Sequence, residues 1–245
     1  MSAAHRQRSR APLRALRFVA LGAIIFGSAG KAFGVPPSVA GPPAAAFAAA
    51  AAAIPARVAG DPADGPRLLV VAGAHGDESS GTAAADILVS AEFPRRGSLA
   101  LVPRASPGAV ESGARNAPGE ADFNRSYGRA DGGRAALILE LALACDLVLD
   151  LHEAGFAWPE ADFPTLVISP AAAFLAMDLI DALGERGLAF AFTGGAPPGS
   201  LVGELGDRGR AAIAVEVPSR LPPEERVALH LAVVDEAMGL LGMSP

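Results

Sequence analysis

The hydrophobic pattern changes near residue 67, from an unpatterned Ala- and Pro-rich segment to short apolar runs separated by segments with helical spacing. Apolar runs of this length are typical of buried strands. Six strands interleaved with helices indicate an α/β sandwich around a largely parallel sheet. The predicted strands are 68–71, 98–102, 146–151, 165–168, 188–192 and 212–217, and the predicted helices are 82–89, 134–144, 171–186 and 222–241.

One segment inside this alternating region, 103–133, is rich in Gly, Pro and Ser and shows no periodicity. A loop of that length within a compact domain is more often functional than idle. We therefore expect it to contribute residues to a functional site.

The first residues of the chain have the pattern of an export signal. Five arginines precede an uncharged run over 18–30, and small residues at suitable spacing for cleavage follow it. The run is shorter than the roughly 18–20 residues that a spanning helix needs. We predict a signal peptide over 1–34 and export to the periplasm or the medium. The alternatives are an uncleaved N-terminal anchor and a wrongly assigned start codon.

Low complexity marks the next segment, 35–66, which contains several prolines and a tract of nine alanines and one Phe over 44–53. Alanine favours helix, but the tract lacks polar residues and is flanked by prolines. We interpret 35–66 as an Ala/Pro-rich linker that acts as a tether without a stable packed helix. The folded domain is then 67–245.

Composition and charge narrow the function classes. Apolar residues make up 51% and charged residues 19%, which excludes a disordered charged chain. All 26 acidic residues follow residue 60, together with only 13 of the 20 Lys and Arg, so that part repels nucleic acid. The single cysteine, Cys145, excludes an internal disulfide and a Cys-based zinc cluster.

Two of the four histidines directly follow or end predicted strands. His75 comes just after the first strand, and His152 ends the third. In an open α/β sheet the carboxyl ends of strands bind ligands, and Glu78 is near enough in sequence to reach the same ion as His75. Two imidazoles and a carboxylate form the three-ligand set of a catalytic zinc. By contrast, His5 lies in the export signal, and we expect a solvent-facing or capping role for His230.

Four motifs occur in a characteristic order along the chain. They are His75-x-x-Glu78, Asp122-Phe-Asn-Arg125, Asp150-Leu-His152 and Glu216 in a late strand. In this order they resemble the zinc carboxypeptidases, and the Gly-x-His-Gly-Asp-Glu form is similar to the succinylglutamate desuccinylase and aspartoacylase branch. The resemblance covers 67–245. It implies a single domain with a three-layer α/β sandwich and a mixed, largely parallel sheet.

The resemblance also implies a cofactor and a mechanism. One zinc ion per chain would be held by His75, Glu78 and His152. Glu216 would be the general base that takes a proton from the metal-activated water and later gives it to the leaving amine. This role suits a Glu within an apolar strand, because desolvation raises the pKa of a carboxyl group. Strand alternation also permits Glu216 to face outward.

Residues of the long loop complete the implied site. Asn124 and Arg125 would bind the free carboxylate of the substrate, and Arg115 would steady the developing oxyanion. Asp122 would orient His75. Each arginine also has an ordinary explanation as a surface ion pair. Immediately after His152, Glu153 is expected to be solvent-facing or to support the site without binding the metal, and Asp150 is expected in the same supporting role.

The sequence therefore predicts a zinc-dependent hydrolase that cleaves an amide bond of an N-acyl amino acid or of a peptide with a free carboxylate. The expected partner is this small-molecule or peptide substrate, and we expect no binding to nucleic acid. Contact with a membrane is expected only through a possible N-terminal anchor. The zinc carboxypeptidases that the motifs resemble use a tyrosine late in the sequence to close over the substrate. The only tyrosine of this chain is Tyr127, so it has no residue that matches that one. A non-catalytic exported binding module that retains the carboxypeptidase fold is the alternative.

Overall fold

Seven strands form one mixed sheet at the centre of the protein. The computed structural model describes residues 43–90, 96–129, 131, 133–154 and 163–243. The strands are β1 (Arg57–Gly60), β2 (Arg67–Ala72), β3 (Ser98–Val102), β4 (Leu147–Ala154), β5 (Thr165–Ile168), β6 (Ala191–Thr193) and β7 (Ala212–Pro218). Their order is β1-β3-β2-β4-β7-β5-β6. Only the β1–β3 and β5–β7 pairs are antiparallel, which confirms the predicted mixed, largely parallel sheet.

Helices cover both faces of the sheet. They are α1 (Ala44–Ala52), α2 (Ser79–Val89), α3 (Pro107–Ser112), α4 (Gly133–Leu143), α5 (Ala173–Glu185), α6 (Leu201–Asp207) and α7 (Pro223–Leu240). One apolar core lies between the sheet and α2, α5 and α7. The other lies between the sheet and α1, α4 and α6. These three layers confirm the predicted α/β sandwich.

Side-chain alternation along β4 prepares the functional site. Leu149 and Leu151 pack in the core beneath α2 and α7, whereas Val148 packs in the opposite core. Because successive side chains of a strand point to opposite faces, His152 shares the face of Val148. Glu153 shares the face of Leu151. Neighbouring residues of one strand therefore serve two different layers.

The tether interpretation is wrong for residues 43–66. They form α1 and β1, and β1 extends the sheet by pairing antiparallel with β3. In α1, Phe47 and Ala51 lie one helical turn apart on the same face and are both buried. The guanidinium of Arg67 lies 5.7 Å from the centre of the Phe47 ring. A single aromatic residue thus anchors an otherwise featureless alanine tract.

The long segment 103–133 is less irregular than expected, since α3 and a 3₁₀ turn at Phe123–Arg125 lie within it. The strand that the sequence predicted at 188–192 corresponds to β6, which forms at Ala191–Thr193. The predicted signal peptide 1–34 and the start of the predicted linker lie outside the described residues. No helix among the described residues is both long and apolar enough to cross a membrane.

Candidate metal centre

Three buried donor groups converge at the carboxyl ends of β2 and β4. His75 lies in the turn after β2, Glu78 immediately precedes α2, and His152 lies in β4. The Nδ1 atom of His75 is 2.7 Å from Oε1 of Glu78, and Nδ1 of His152 is 2.8 Å from Oε2 of the same carboxylate. The two imidazole rings are 5.2 Å apart between centroids. The structure thus brings together all three predicted ligands.

The donor set fits a zinc ion. One ligand atom from each of His75, Glu78 and His152 lies within 4.8 Å of the others. Two imidazole nitrogens and a carboxylate oxygen are the donors that catalytic zinc sites use, with a further position left open. The zinc ion in the sequence prediction therefore has a matching site in the fold.

Electrostatics at the centre favour an ionised carboxylate beside positive charge. Burial by itself would raise the pKa of Glu78, but the charge of His152 and hydrogen bonds from both histidines hold that pKa well below its usual value. Burial lowers the pKa of each histidine, yet hydrogen bonds and nearby carboxylates raise it overall. A bound divalent cation supplies the same positive charge without protonated imidazoles.

Two carboxylates and an amide lie next to the remote nitrogens of the two imidazoles. Oδ1 of Asp122 is 2.9 Å from Nε2 of His75, the contact that the sequence led us to expect. Oδ2 of Asp150 is 3.0 Å from Nε2 of His152, and Nδ2 of Asn124 is 3.2 Å from the same nitrogen. By accepting from Nε2–H, Asp122 can fix the His75 ring with Nδ1 free to bind a metal. The Asn124 amide N–H can donate to Nε2 of His152 only when that nitrogen carries no proton.

Gly76 holds the loop that carries Arg115 close to the candidate ligands. Its N–H donates to the carbonyl of Ala114 at 2.9 Å. A Cβ atom on Gly76 would lie 1.8 Å from the carbonyl oxygen of Ala109, a distance that no side chain can occupy. The glycine of the His-Gly-Asp-Glu motif is therefore required by this close approach of two backbone segments.

Arg115 reaches the centre from the long loop. Its Nη1 donates to Oε1 of Glu78 at 3.1 Å, and its Nη2 donates to Oδ2 of Asp122 at 3.4 Å. The side chain is 43% exposed, so the guanidinium lies between the buried ligands and solvent. Arg115 therefore forms ion pairs with two carboxylates of the centre.

Asn124 and Arg125 follow Asp122 in a 3₁₀ turn, and Asp122 accepts from the N–H of Asn124 at 2.9 Å. Asn124 is buried, and its Oδ1 accepts from the N–H of Leu201 at 3.2 Å. Arg125 is exposed and donates from Nη1 to the carbonyl of Asn124 at 2.6 Å. The asparagine is thus buried next to His152, whereas the arginine is exposed.

Glu216 lies beside the ligand strand. It is the register partner of His152 across the parallel β4–β7 pair, so the two side chains share one face of the sheet. Burial raises the pKa of Glu216, and the charges of Glu78 and Asp150 add to that rise. The outward-facing alternative is therefore wrong.

Behind the centre lie two residues for which the sequence led to expectations, His230 and Glu153. His230 is fully buried in α7, so the expected solvent-facing or capping role is wrong, and burial lowers its pKa to about 3. Of the two expectations for Glu153, the structure agrees with the supporting one and not the solvent-facing one, because Glu153 is buried and its backbone N–H donates to Oε2 of Glu78 at 3.1 Å. The available signal was its position in an apolar strand, one residue after His152.

Comparison with known proteins agrees with this geometry. Residues 64–229, more than half of the chain, match the family model of the succinylglutamate desuccinylase/aspartoacylase catalytic domain. The match confirms the resemblance found in the sequence motifs. No curated protein matches the sequence significantly.

Several solved structures share the fold. The tripeptide-bound cell shape determinant protein Csd4 from Helicobacter pylori, elsewhere named a D,L-carboxypeptidase, superposes with a TM-score of 0.67 at 19% identity, over 77% of this chain and 55% of that one. The ectoine utilization protein EutE (DoeB) from Ruegeria pomeroyi gives 0.62 at 20% identity, over 74% and 59%. A succinylglutamate desuccinylase/aspartoacylase from Rhodobacter sphaeroides gives 0.58 at 21% identity, over 74% and 57%. The chain spans little more than half the length of each.

Proposed function

The chain belongs to the succinylglutamate desuccinylase/aspartoacylase family, and from that premise we propose that it is a zinc-dependent hydrolase of amide bonds. Its proposed substrate is an N-acyl amino acid or a peptide with a free carboxylate. One observation carries the proposal: Nδ1 atoms of two buried histidines face the two oxygens of Glu78, with Glu216 beside His152 on the next strand.

Glu216 is the proposed proton carrier. Zinc, when bound by His75, Glu78 and His152, supplies a Lewis acid that polarises a carbonyl group and lowers the pKa of water. A partly buried carboxyl group with a raised pKa can accept a proton from the attacking water and return it to the leaving nitrogen. Glu78 is unsuited to that task, because its neighbouring imidazoles keep it ionised.

The two arginines at the mouth of the site have separate proposed roles. Arg115 lies against Glu78 and Asp122, within reach of a carbonyl group near the ligands, and stabilises negative charge on its oxygen. Arg125 is exposed and carries the fork geometry that binds a carboxylate through two hydrogen bonds. Asn124 is the proposed companion for that carboxylate, with its Oδ1 already held by Leu201.

Both proposed substrate classes have support among similar proteins. One solved structure with this fold is named a D,L-carboxypeptidase, and another is named a desuccinylase/aspartoacylase. We also propose that the protein acts outside the cytoplasm, because a basic segment and a short apolar run begin the chain. Fusion of residues 1–66 to an alkaline phosphatase reporter, which is active only after export, tests this location.

The proposed activity is tested with the full-length protein after chelation and after zinc is restored. A panel of N-acyl amino acids and of peptides with free or amidated carboxyl ends separates the two substrate classes. We expect hydrolysis that depends on zinc and on the free carboxylate, with little activity in Glu216→Gln. Glu140→Gln, an exposed α4 variant, is the matched control. Activity that survives chelation, or full activity in Glu216→Gln, would contradict the proposal.

A further inference from the structure

A second buried polar cluster lies on the face of β4 opposite His152. We propose that Glu153 is a positioning residue for the metal centre, and that its ion pair with Arg226 of α7 holds Glu78 and His152 in their binding geometry. The inference rests on the proposed function, since it assumes that these two residues bind zinc. The Glu153–Arg226 pair is called the support pair below.

The support pair is enclosed by three elements. The side chain of Glu153 is 2% exposed and that of Arg226 is 13% exposed. One oxygen of Glu153 pairs with Nη1 of Arg226 in the first turn of α7, and the other accepts from the backbone N–H of Ser80 at 2.8 Å. A single carboxylate therefore connects β4, α2 and α7.

Each of these connections ends next to a metal ligand. Ser80 lies in the first turn of α2, two residues after Glu78. The backbone N–H of Glu153 donates to Oε2 of Glu78, the oxygen that faces His152. Any displacement of Glu153 consequently moves the start of α2, the carboxylate of Glu78 and the backbone of His152 together.

The carboxylate of Glu153 is not itself a candidate ligand. By strand alternation it points to the face opposite His152, and it is absent from the His75–Glu78–His152 donor set. Its negative charge is balanced by Arg226, and it satisfies an N–H group at the start of α2 that has no partner within the helix. Removing the charge of one member leaves the other buried and unpaired, an unfavourable state that local movement relieves.

Metal affinity and metal geometry test the inference more directly than activity. In Glu153→Gln the amide oxygen still accepts from Ser80, but the ion pair is lost. For the full-length protein we expect the zinc Kd, measured by competition with a chelating dye, to rise about 10–100-fold. We expect the visible absorption bands of the cobalt-substituted protein to shift, and kcat to fall more than KM rises.

Arg226 offers an independent variant at the partly exposed start of α7. Arg226→Met is expected to reproduce the loss of zinc affinity, and Arg226→Lys to restore most of it. Val233→Ala, in the buried face of the same helix, is the matched control. It is expected to lower the Tm by loss of packing while leaving the zinc Kd and the cobalt spectrum unchanged.

The outcomes separate this inference from the proposed function. If the wild-type protein binds zinc but Glu153→Gln and Arg226→Met keep a zinc Kd within twofold of wild type and an unchanged cobalt spectrum, only the positioning role is overturned. If Glu153→Gln does not fold, the Arg226 variants decide the same question. If the wild-type protein itself binds no zinc, both the proposed function and this inference are overturned.

Discussion

Two buried polar clusters lie on opposite faces of β4, and they differ in their contact with solvent and in their proposed roles. On one face, His152 joins His75 and Glu78 in a converging donor set beside the 43% exposed Arg115. On the other face, Glu153 and Arg226 are enclosed between helices. The first cluster borders solvent through Arg115, whereas the second borders it only at Arg226, whose side chain is 13% exposed. One strand thus carries the proposed metal site on one face and the proposed support pair on the other.

Within the first cluster, two carboxyl groups show how surroundings assign roles. Glu78 is flanked by two imidazoles, which keep its pKa low and suit it to bind a cation. For Glu216, burial dominates and raises the pKa, which suits it to carry a proton. Carboxyl groups with oppositely shifted pKa values are typical of acid–base sites.

Loss of a proposed zinc ligand is expected to have the largest effect. His152→Ala removes one of three donors, so we expect the purified full-length protein to lose its zinc and nearly all zinc-dependent activity. Metal analysis after gel filtration measures this. A folded His152→Ala protein that still carries one zinc per chain would exclude His152 as a ligand.

The next effect separates the two carboxyl groups. Glu216→Gln is expected to reduce kcat/KM by about 10²–10⁴-fold, because the proton carrier is lost while the donor set remains. Steady-state kinetics together with zinc stoichiometry measure both quantities. Loss of zinc in this variant would assign Glu216 to metal binding instead.

The third prediction concerns His230, which is fully buried in α7. Both ring nitrogens of His230 are buried without a hydrogen-bond partner among the described residues. Its folded pKa of about 3 lies below the ordinary value of 6.5, so the unfolded chain takes up the proton first. The contribution that a neutral, buried His230 makes to the stability of the fold is therefore fully present above pH 6.5, and it is lost progressively as the pH falls toward 3.

We therefore expect the free energy of unfolding to fall less between pH 7 and pH 4.5 in His230→Leu than in wild type. The expected difference is about 3 kcal/mol, at about 1.4 kcal/mol per pH unit below 6.5. Urea titrations of both proteins with a chelator measure it, since bound metal is then absent at each pH. Equal pH dependence in the two proteins would show that His230 has the same pKa in the folded and the unfolded state, and would contradict the lowered pKa.

The smallest effect is expected on the solvent side of α7. Arg186 pairs with Asp235 at 3.0 Å and with Glu236 at 2.9 Å, and its side chain is 43% exposed. Exposed pairs contribute little, so we expect Arg186→Met to change the free energy of unfolding by less than about 1 kcal/mol and to leave zinc affinity unchanged. A zinc Kd that changes as in Arg226→Met would mean that any disturbance of α7 reaches the metal.

The sequence predicted the residues whose role depends on local position. His75 and His152 occur at the ends of apolar strands, and parallel strands bring such ends to one edge of the sheet. For Glu153 the sequence left a supporting and a solvent-facing role open, and it gave no role to Arg226 and the wrong one to His230. Arg226 lies 73 residues after Glu153, and only the packing of α7 beside α2 brings the two together.

The packing of the alanine tract in α1 likewise depends on residues that are distant in sequence. The alanine tract shows no amphipathic pattern, so the sequence indicated a tether. Its packing depends on Phe47 and Ala51 meeting a surface that α4 provides more than eighty residues later. Burial by a distant element is invisible to local periodicity.

X-ray absorption spectroscopy of the zinc-loaded, full-length protein tests the metal centre most directly. We expect one zinc per chain, with two imidazoles and oxygen donors around it, and one imidazole fewer in any zinc retained by His152→Ala. Zinc without imidazole ligands, or no stoichiometric zinc in a folded wild-type protein, would contradict the assignment of His75, Glu78 and His152 as its ligands.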